Sequence, residues 1–367
     1  MEEIRTVQSI KIMANIKIGA RTVGENYPTY FIADIAANHD GDLNRAKKLI
    51  HLAKEAGADA AKFQNFQAPK IVSDYGFKNL VDKKTHQAAW KKSVFEVYQD
   101  YSISQSWTPI LKEECDKVRI DYFSSPYDFE SVDHLAPYVD VYKIGSGDIT
   151  WLEMLEYIAS KGKPVLLATG AASLRAVELA VDAILKINRN LVLMQCNTNY
   201  TASMENYKYV NLRVLETFRS LYPDLVLGLS DHTHSAVTVL GAVALGARVV
   251  ERHFTDDNGR EGPDHKFAIN PATWREMVEQ TRILETALGD GKKRVEENEK
   301  ESIVVQQRCL RAARGLSAGQ VLQREDIEVL RPAPDDSIKP HYLKTVIGRK
   351  IINNIAQGDI IQWADIV

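Results

Sequence analysis

Two histidines in this 367-residue chain, His232 and His253, each close a short apolar run and are followed by a polar turn. Imidazoles on neighbouring elements can share one divalent cation and leave its other positions open for water and substrate, as a catalytic metal requires. His232 and His234 offer a second pairing, an HxH like that of metal-dependent hydrolases, but the further ligands such a site needs cannot be completed from the sequence. A histidine at such a position can also be a hydrogen-bonded structural group. Lys62 and Lys143 end two other runs, the second within KIGSGD at 143–148. Lysines that converge on hydroxyls and glycine N–H groups can hold a phosphate where no P-loop exists. Each lysine can equally be half of a salt bridge. No Gly-x-Ser-x-Gly elbow is present, which disfavours hydrolase nucleophile chemistry, and Cys196 reads as a buried small apolar residue.

The elements that must position these groups alternate along the chain. Short apolar runs at 31–36, 58–63, 122–124, 139–144, 164–168, 191–196, 225–229 and 248–252 are bounded by Gly, Pro, Asp or Asn, as parallel strands buried on both faces are. Helix-period segments lie at 43–56, 106–117, 130–135, 152–160, 173–186, 210–221, 236–245 and 271–288. Ser173 is a good N-cap, and Asn270-Pro271 places proline at a first helical position. Eight of each is the arithmetic of an α/β protein built as a (β/α)8 TIM barrel. An open doubly wound sheet would more often carry a Gly-rich fingerprint after its first strand, and none is present. A barrel gathers its reactive groups at the C-terminal strand ends. Those ends supply Asn38, His39 and Asp40; Lys62 and Gln64; Ser124 and Ser125; Lys143, Ser146 and Asp148; Thr169 and Gly170; Asn197, Thr198 and Tyr200; Ser230, Asp231 and His232; and Arg252, His253 and Asp264.

Four segments fall outside that alternation. Residues 1–29 read as a hairpin extension covering the barrel bottom, followed by a catalytic barrel over 30–288. The charged stretch 289–301 reads as a linker, and 302–367 as a small β-rich domain with short runs at 303–305, 327–330 and 351–352. An insertion at 68–104, rich in lysine and aromatics, is too long for a plain βα loop and is expected over the barrel mouth. With 46 Lys+Arg against 49 Asp+Glu, the net charge of −3 leaves no basic excess over the whole chain to drive binding of nucleic acid or anionic membrane. No apolar stretch approaches the about 20 residues of a membrane span. Three widely spaced cysteines and the lack of a signal-peptide pattern point to the cytoplasm.

The strings IADIAANHDGDLNRAKKLIHLAKEAGADAAKFQ, YKIGSGD, GLSDHT, GAVALGARVVERHFT and GPDH resemble the sialic acid synthase family, whose members make N-acetylneuraminic, legionaminic and pseudaminic acids. The resemblance runs from about Phe31 to the C-terminus, where ARGLSAGQVLQREDIEVLRP is similar to that family's antifreeze-like (SAF) domain. It implies condensation of phosphoenolpyruvate with the open-chain aldehyde of an N-acylmannosamine-type amino sugar, with release of phosphate and formation of a nine-carbon 2-keto-3-deoxy acid. It also implies His232 and His253 as ligands of a divalent metal ion, Mn2+ or Mg2+. Lys62, Ser125, Lys143, Ser146 and Ser230 would hold phosphoenolpyruvate, and Asn38, Asp40, Gln64, Tyr200 and Asp264 would line the sugar and water side, with Thr169 and Thr198 alongside. Arg331 matches an arginine delivered into the partner's site, which implies a domain-swapped homodimer. The chain departs from the pattern at Ala168, often Ser in the family, at Asp40, Glu in some members, and in QCNTNYTAS, where QCT-x-x-YP is common. Asp40 beside the distal hydroxyls is expected to repel a sugar phosphate. The rival readings are another phosphoenolpyruvate-using 3-deoxy-ulosonate synthase and a non-catalytic sugar-binding barrel.

Overall fold

The apolar runs become eight parallel strands in a computed structural model that describes residues 14–80, 87 and 90–367. A short antiparallel hairpin, β1 (Asn15–Ile18) and β2 (Arg21–Gly24), precedes them. The parallel strands are β3 (Tyr30–Asp34), β4 (Ala60–Asn65), β5 (Asp121–Pro126), β6 (Tyr142–Ile144), β7 (Val165–Ala168), β8 (Leu191–Cys196), β9 (Val226–Asp231) and β10 (Ala247–His253). They are hydrogen-bonded in chain order from β6 to β10, β10 pairs back to β3, and β3, β4 and β5 continue the wall. β5 and β6 lie side by side, so the sheet closes as a TIM-type barrel. Most strand residues are buried because helices cover the outside while side chains fill the inside.

Helix boundaries follow local chemistry. Ser173 caps Leu174–Leu185 by accepting the Ala176 N–H, and Asn270 caps Pro271–Leu288 by accepting from Ala272 and Thr273. The hairpin lies under the N-terminal strand ends, where Arg21 pairs with Asp59 just before β4 and reaches Asp121 at the start of β5. Residues 1–13, 81–86 and 88–89, parts of the expected extension and insertion, lie outside the described residues.

The chain divides into Met1–Gly289 and Asp290–Val367, so the expected linker begins at the division and belongs with the second unit. That unit pairs β11 (Cys309–Ala312) with β12 (Ile327–Leu330) and buries a core including Leu310, Leu322, Ile338 and Ile361. The run at 303–305 is a correction to the sequence reading. It lies in the helix Lys300–Gln306, where good helix formers on both sides outweigh its β-branched residues. Residues 351–352 contribute only an isolated bridge, Ile351 to Ile366. Among the described residues no helix is long and apolar enough to cross a membrane.

Candidate active site

Strand register brings the charged groups together. Asp34, the last residue of β3, stands opposite Lys62 on β4 and opposite His253 on β10. Its carboxylate meets Lys62 Nζ at 2.7 Å, accepts from Gln64 Nε2 at 3.2 Å and lies 3.6 Å from His253 Nε2. Lys62 Nζ also reaches Ser125 Oγ at 3.5 Å. A second pair repeats the pattern across the barrel: Lys143 Nζ meets Glu251 Oε1 at 2.9 Å, and Ser230 Oγ donates to the same oxygen at 3.3 Å. Both lysines are therefore salt-bridged and buried inside the mouth, with side chains only 2% and 4% exposed. Asp34 and Glu251 complete this network and were not singled out from the sequence. The signal was an acid inside each apolar run, YFIAD and VVERH.

The fields of these groups are interlocked. Burial drives the Asp34 carboxyl up against the opposing pull of Lys62. Burial also raises Glu251, but Lys143 and Lys62 outweigh it and hold that carboxyl below its ordinary value. Burial disfavours the Lys62 ammonium, while Asp34 and Glu251 more than restore it. Two positive and two negative charges thus balance within one water-poor space.

The imidazoles of His232 and His253 face the same interior, with ring centroids 5.4 Å apart. Tyr200 packs on His232 at 4.5 Å and Phe267 on His253 at 4.8 Å. His232 Nδ1 donates to the Asn197 carbonyl at 2.9 Å, which leaves Nε2 as the nitrogen that could serve as a ligand. Burial, together with His232, Lys62 and Lys143, keeps His253 neutral far below the ordinary imidazole range. Its Nδ1 is buried with no hydrogen-bond partner; Asp264 Oδ2 stands 3.7 Å away. A divalent cation fits this donor set as a two-imidazole site with remaining positions for oxygen. Among the described residues no group of three or more His, Cys, Asp or Glu is gathered for a metal. His234 is not part of the pair; its Nε2 bonds the Ala202 carbonyl at 3.2 Å.

Ser146 Oγ accepts the Gly170 N–H at 2.9 Å. A Cβ on Gly170 would stand 1.8 Å from Thr198 Oγ1 and 3.0 Å from Cys196 Sγ, so only glycine lets these three hydroxyl and thiol groups converge. Thr169 Oγ1 bonds the Met194 carbonyl at 2.9 Å and is turned into the wall. Asn38 is fully buried, giving Nδ2 to the Phe254 carbonyl at 3.0 Å while its Oδ1 has no partner. Asp264 accepts the Ala37 N–H, and its desolvated carboxyl is pushed up to about 6. Asp148, in the turn after β6, is likewise pushed up to about 6 by burial.

Asp40 is a correction. Its oxygens are committed to Arg260 at 2.9 Å, His265 Nε2 at 2.9 Å and Arg45 Nε at 3.2 Å, and it does not line the mouth cavity. The backbone at Asp40 is left-handed (φ 52°) and its carboxylate is turned to the loop after β10, where it clamps Arg260 and His265. Arg331 is exposed, immediately after β12 in the second unit. Over the mouth, the insertion does what its length suggests. Trp90, Val97, Tyr98 and Tyr101 enclose, with Phe66, Tyr127, Tyr200, His253 and Asp264, a cavity of about 160 Å³.

Comparison with known proteins agrees with this construction. The NeuB family model matches residues 49–293, and the SAF domain model residues 307–367. An uncharacterized protein of Methanocaldococcus jannaschii is 36% identical, covering 97% of this chain and 99% of the relative. The N,N'-diacetyllegionaminic acid synthase of Legionella pneumophila is 33% identical, covering 96% and 99%. The solved structure of N-acetylneuraminic acid synthetase from Leptospira borgpetersenii superposes with a TM-score of 0.69 at 30% identity, covering 79% of this chain and 96% of that one. With its barrel and its C-terminal SAF domain, this chain belongs to the NeuB family.

Proposed function

We propose that this chain condenses phosphoenolpyruvate with the open-chain aldehyde of an N-acylmannosamine-type sugar, forming a nine-carbon 2-keto-3-deoxy acid and releasing phosphate. The observation that carries the reading is the meeting of two buried lysines with an imidazole pair beneath one small aromatic-walled cavity. The activities named for the relatives support it.

An ammonium has three N–H donors, and each lysine spends one on its carboxylate partner. The remaining donors of Lys62 and Lys143 face the interior with Ser125 and Ser230, a setting suited to the phosphate and carboxylate of phosphoenolpyruvate. Its C3 electron pair forms the new bond to the aldehyde carbon, whose oxygen takes a proton. Water then adds to C2 and loses a proton. Collapse of that tetrahedral centre breaks the C–O bond to the phosphate, the electron pair leaves with phosphate, the C2 hydroxyl gives its proton to the departing phosphate, and a ketone remains. Lys62 and Lys143 stabilise the departing anion. Asp264 beside His253, and Asp148 near Tyr98 and Tyr127, have carboxyls at about 6 and can exchange protons near neutral pH. His232 and His253 would hold the divalent ion, which when bound supplies Lewis acidity for the sugar carbonyl. Holding both substrates under the insertion supplies orientation and excludes bulk water. In this reading Arg331 reaches the sugar in a second copy of the chain, within a domain-swapped homodimer.

The test is phosphate release from phosphoenolpyruvate with an N-acyl sugar and Mn2+. His232→Ala and His253→Ala should each lower it at least 100-fold while circular dichroism stays that of the parent. Undiminished release by either variant would refute the imidazole assignment.

A further inference from the structure

Strands β9 and β10 carry two facing pairs just below the imidazoles, and the pairs point in opposite directions. Ser230 and Glu251 stand opposite each other and meet Lys143 inside the barrel. Side chains alternate along a strand, so the next pair, Asp231 opposite Arg252, faces the helices outside. Arg252 Nε lies 3.3 Å from Asp231 Oδ2, with both side chains buried, and its guanidinium reaches Met277 Sδ on the helix Pro271–Leu288 at 3.6 Å.

The Asp231 carboxylate is a node for more than this pair. Its Oδ2 accepts the Thr238 hydroxyl at 2.8 Å and the Thr233 hydroxyl at 2.9 Å, and its Oδ1 accepts the Thr233 N–H at 3.2 Å. Arg252 Nη1 donates to the Ser235 carbonyl at 3.1 Å. One outward carboxylate thus joins the end of β9, the turn after it, the start of the helix Val237–Ala244 and the end of β10.

These bonds act where the pairing of the two strands stops. Asp231 and Arg252 form the last register pair of β9 with β10, so His232 lies one residue beyond it. His232 is also the middle residue of the turn that Asp231 closes on Thr233, and His253 directly follows Arg252. The Asn197 carbonyl holds the His232 ring from the β8 side, which leaves its position against β10 to the Asp231 node. Stability alone is a poor account of the pair. Apolar residues of similar volume often serve as well as a buried ion pair, and Arg252 Nη2 is buried without a hydrogen-bond partner. Bonded charges supply direction, which apolar packing does not.

We propose that Asp231 is a positioning residue: through Arg252, Thr233 and Thr238 it holds the imidazoles of His232 and His253 in the arrangement that binds a divalent ion. The inference rests on the imidazole assignment made above.

The experiment titrates Mn2+ into the full chain without substrates and reads free Mn2+ by electron paramagnetic resonance. Asp231→Asn keeps the shape and removes the charge, and should weaken Mn2+ binding about tenfold. Phosphoenolpyruvate affinity, measured by calorimetry on metal-free protein, should stay within about twofold, because Lys62 and Lys143 lie on the inward side. Thr238→Val leaves the charge and removes one donor, and is the variant to read if Asp231→Asn does not fold. It should weaken Mn2+ about threefold, and Thr238→Ser, which keeps the hydroxyl, should bind as the parent does. A pair that merely fastened helices to the barrel would lower resistance to urea and leave the Mn2+ affinity of the folded protein unchanged. Unchanged affinity in Asp231→Asn, or in Thr238→Val where that is the variant read, overturns the inference, as does an equal loss for phosphoenolpyruvate. A parent that binds no Mn2+, or a His232→Ala variant that binds it as tightly as the parent, overturns the imidazole assignment itself, and the inference with it.

Discussion

Replacing Lys143 with methionine removes one of two positive charges from a buried set of two lysines and two carboxylates. At 2.9 Å the Lys143–Glu251 attraction is about 6 kcal/mol at an effective dielectric of about 20. Much of that is offset by desolvation in the intact protein. Once the ammonium is gone, the Glu251 carboxylate keeps its burial cost with only Ser230 as a direct partner, and its other oxygen already has none. Breaking one side of such a pair costs about 3–5 kcal/mol. Lys143→Met should therefore lose about that much of the barrel's unfolding free energy in urea at pH 7. Lys143→Met combined with Glu251→Gln should return to within about 1–2 kcal/mol of the parent, because Lys62 and Asp34 then balance alone. The double variant should fold and still release no phosphate, separating the lysine's structural role from its role toward the anion. A single variant as stable as the parent, or a double variant weaker than the single, would refute the charge-balance argument.

Two further outcomes are expected, one from the desolvation of Asp148 and one from the proposed homodimer. Asp148 titrates at about 6 when folded against 3.8 for the free group, so the folded state binds the extra proton between those values and stability falls as pH rises through that window. Asp148→Asn should flatten that slope and stabilise the protein at pH 8 by about 3 kcal/mol at most, read by denaturation at pH 4, 6 and 8; an unchanged slope would contradict its desolvation. Mixing inactive Arg331→Ala with inactive His253→Ala under conditions of subunit exchange should restore about a quarter of parental activity, because a swapped heterodimer contains one intact site. Absence of any recovery would place Arg331 outside its neighbour's mouth.

Much of the barrel was legible because its strands are buried on both faces and so appear as unbroken apolar runs. The run at 191–196 coincides with β8, and Ser173 and Asn270 mark their helix starts as capping chemistry requires. The strand-end assignment likewise brought Lys62, Lys143, His232 and His253 into one interior. Pairing was less legible. An acid inside an apolar run marks Asp34 and Glu251 as buried, but their roles depend on which lysine the neighbouring strand sets beside them. Asp40 misled for the opposite reason: it follows the strand end closely, but its left-handed backbone turns it toward Arg260 and His265. Phe267, which packs on His253, arrives from a loop that runs well past the end of β10.

The central claim is that phosphoenolpyruvate and an amino sugar are joined in this mouth with loss of phosphate. Carbon-13 NMR of [2-13C]phosphoenolpyruvate, with the chain, Mn2+ and a neutral N-acyl sugar, tests it most directly. The label should move into the anomeric carbon of a nine-carbon keto acid while inorganic phosphate appears in equal amount. Label that stays in phosphoenolpyruvate, or passes to free pyruvate with no sugar adduct, would contradict the account.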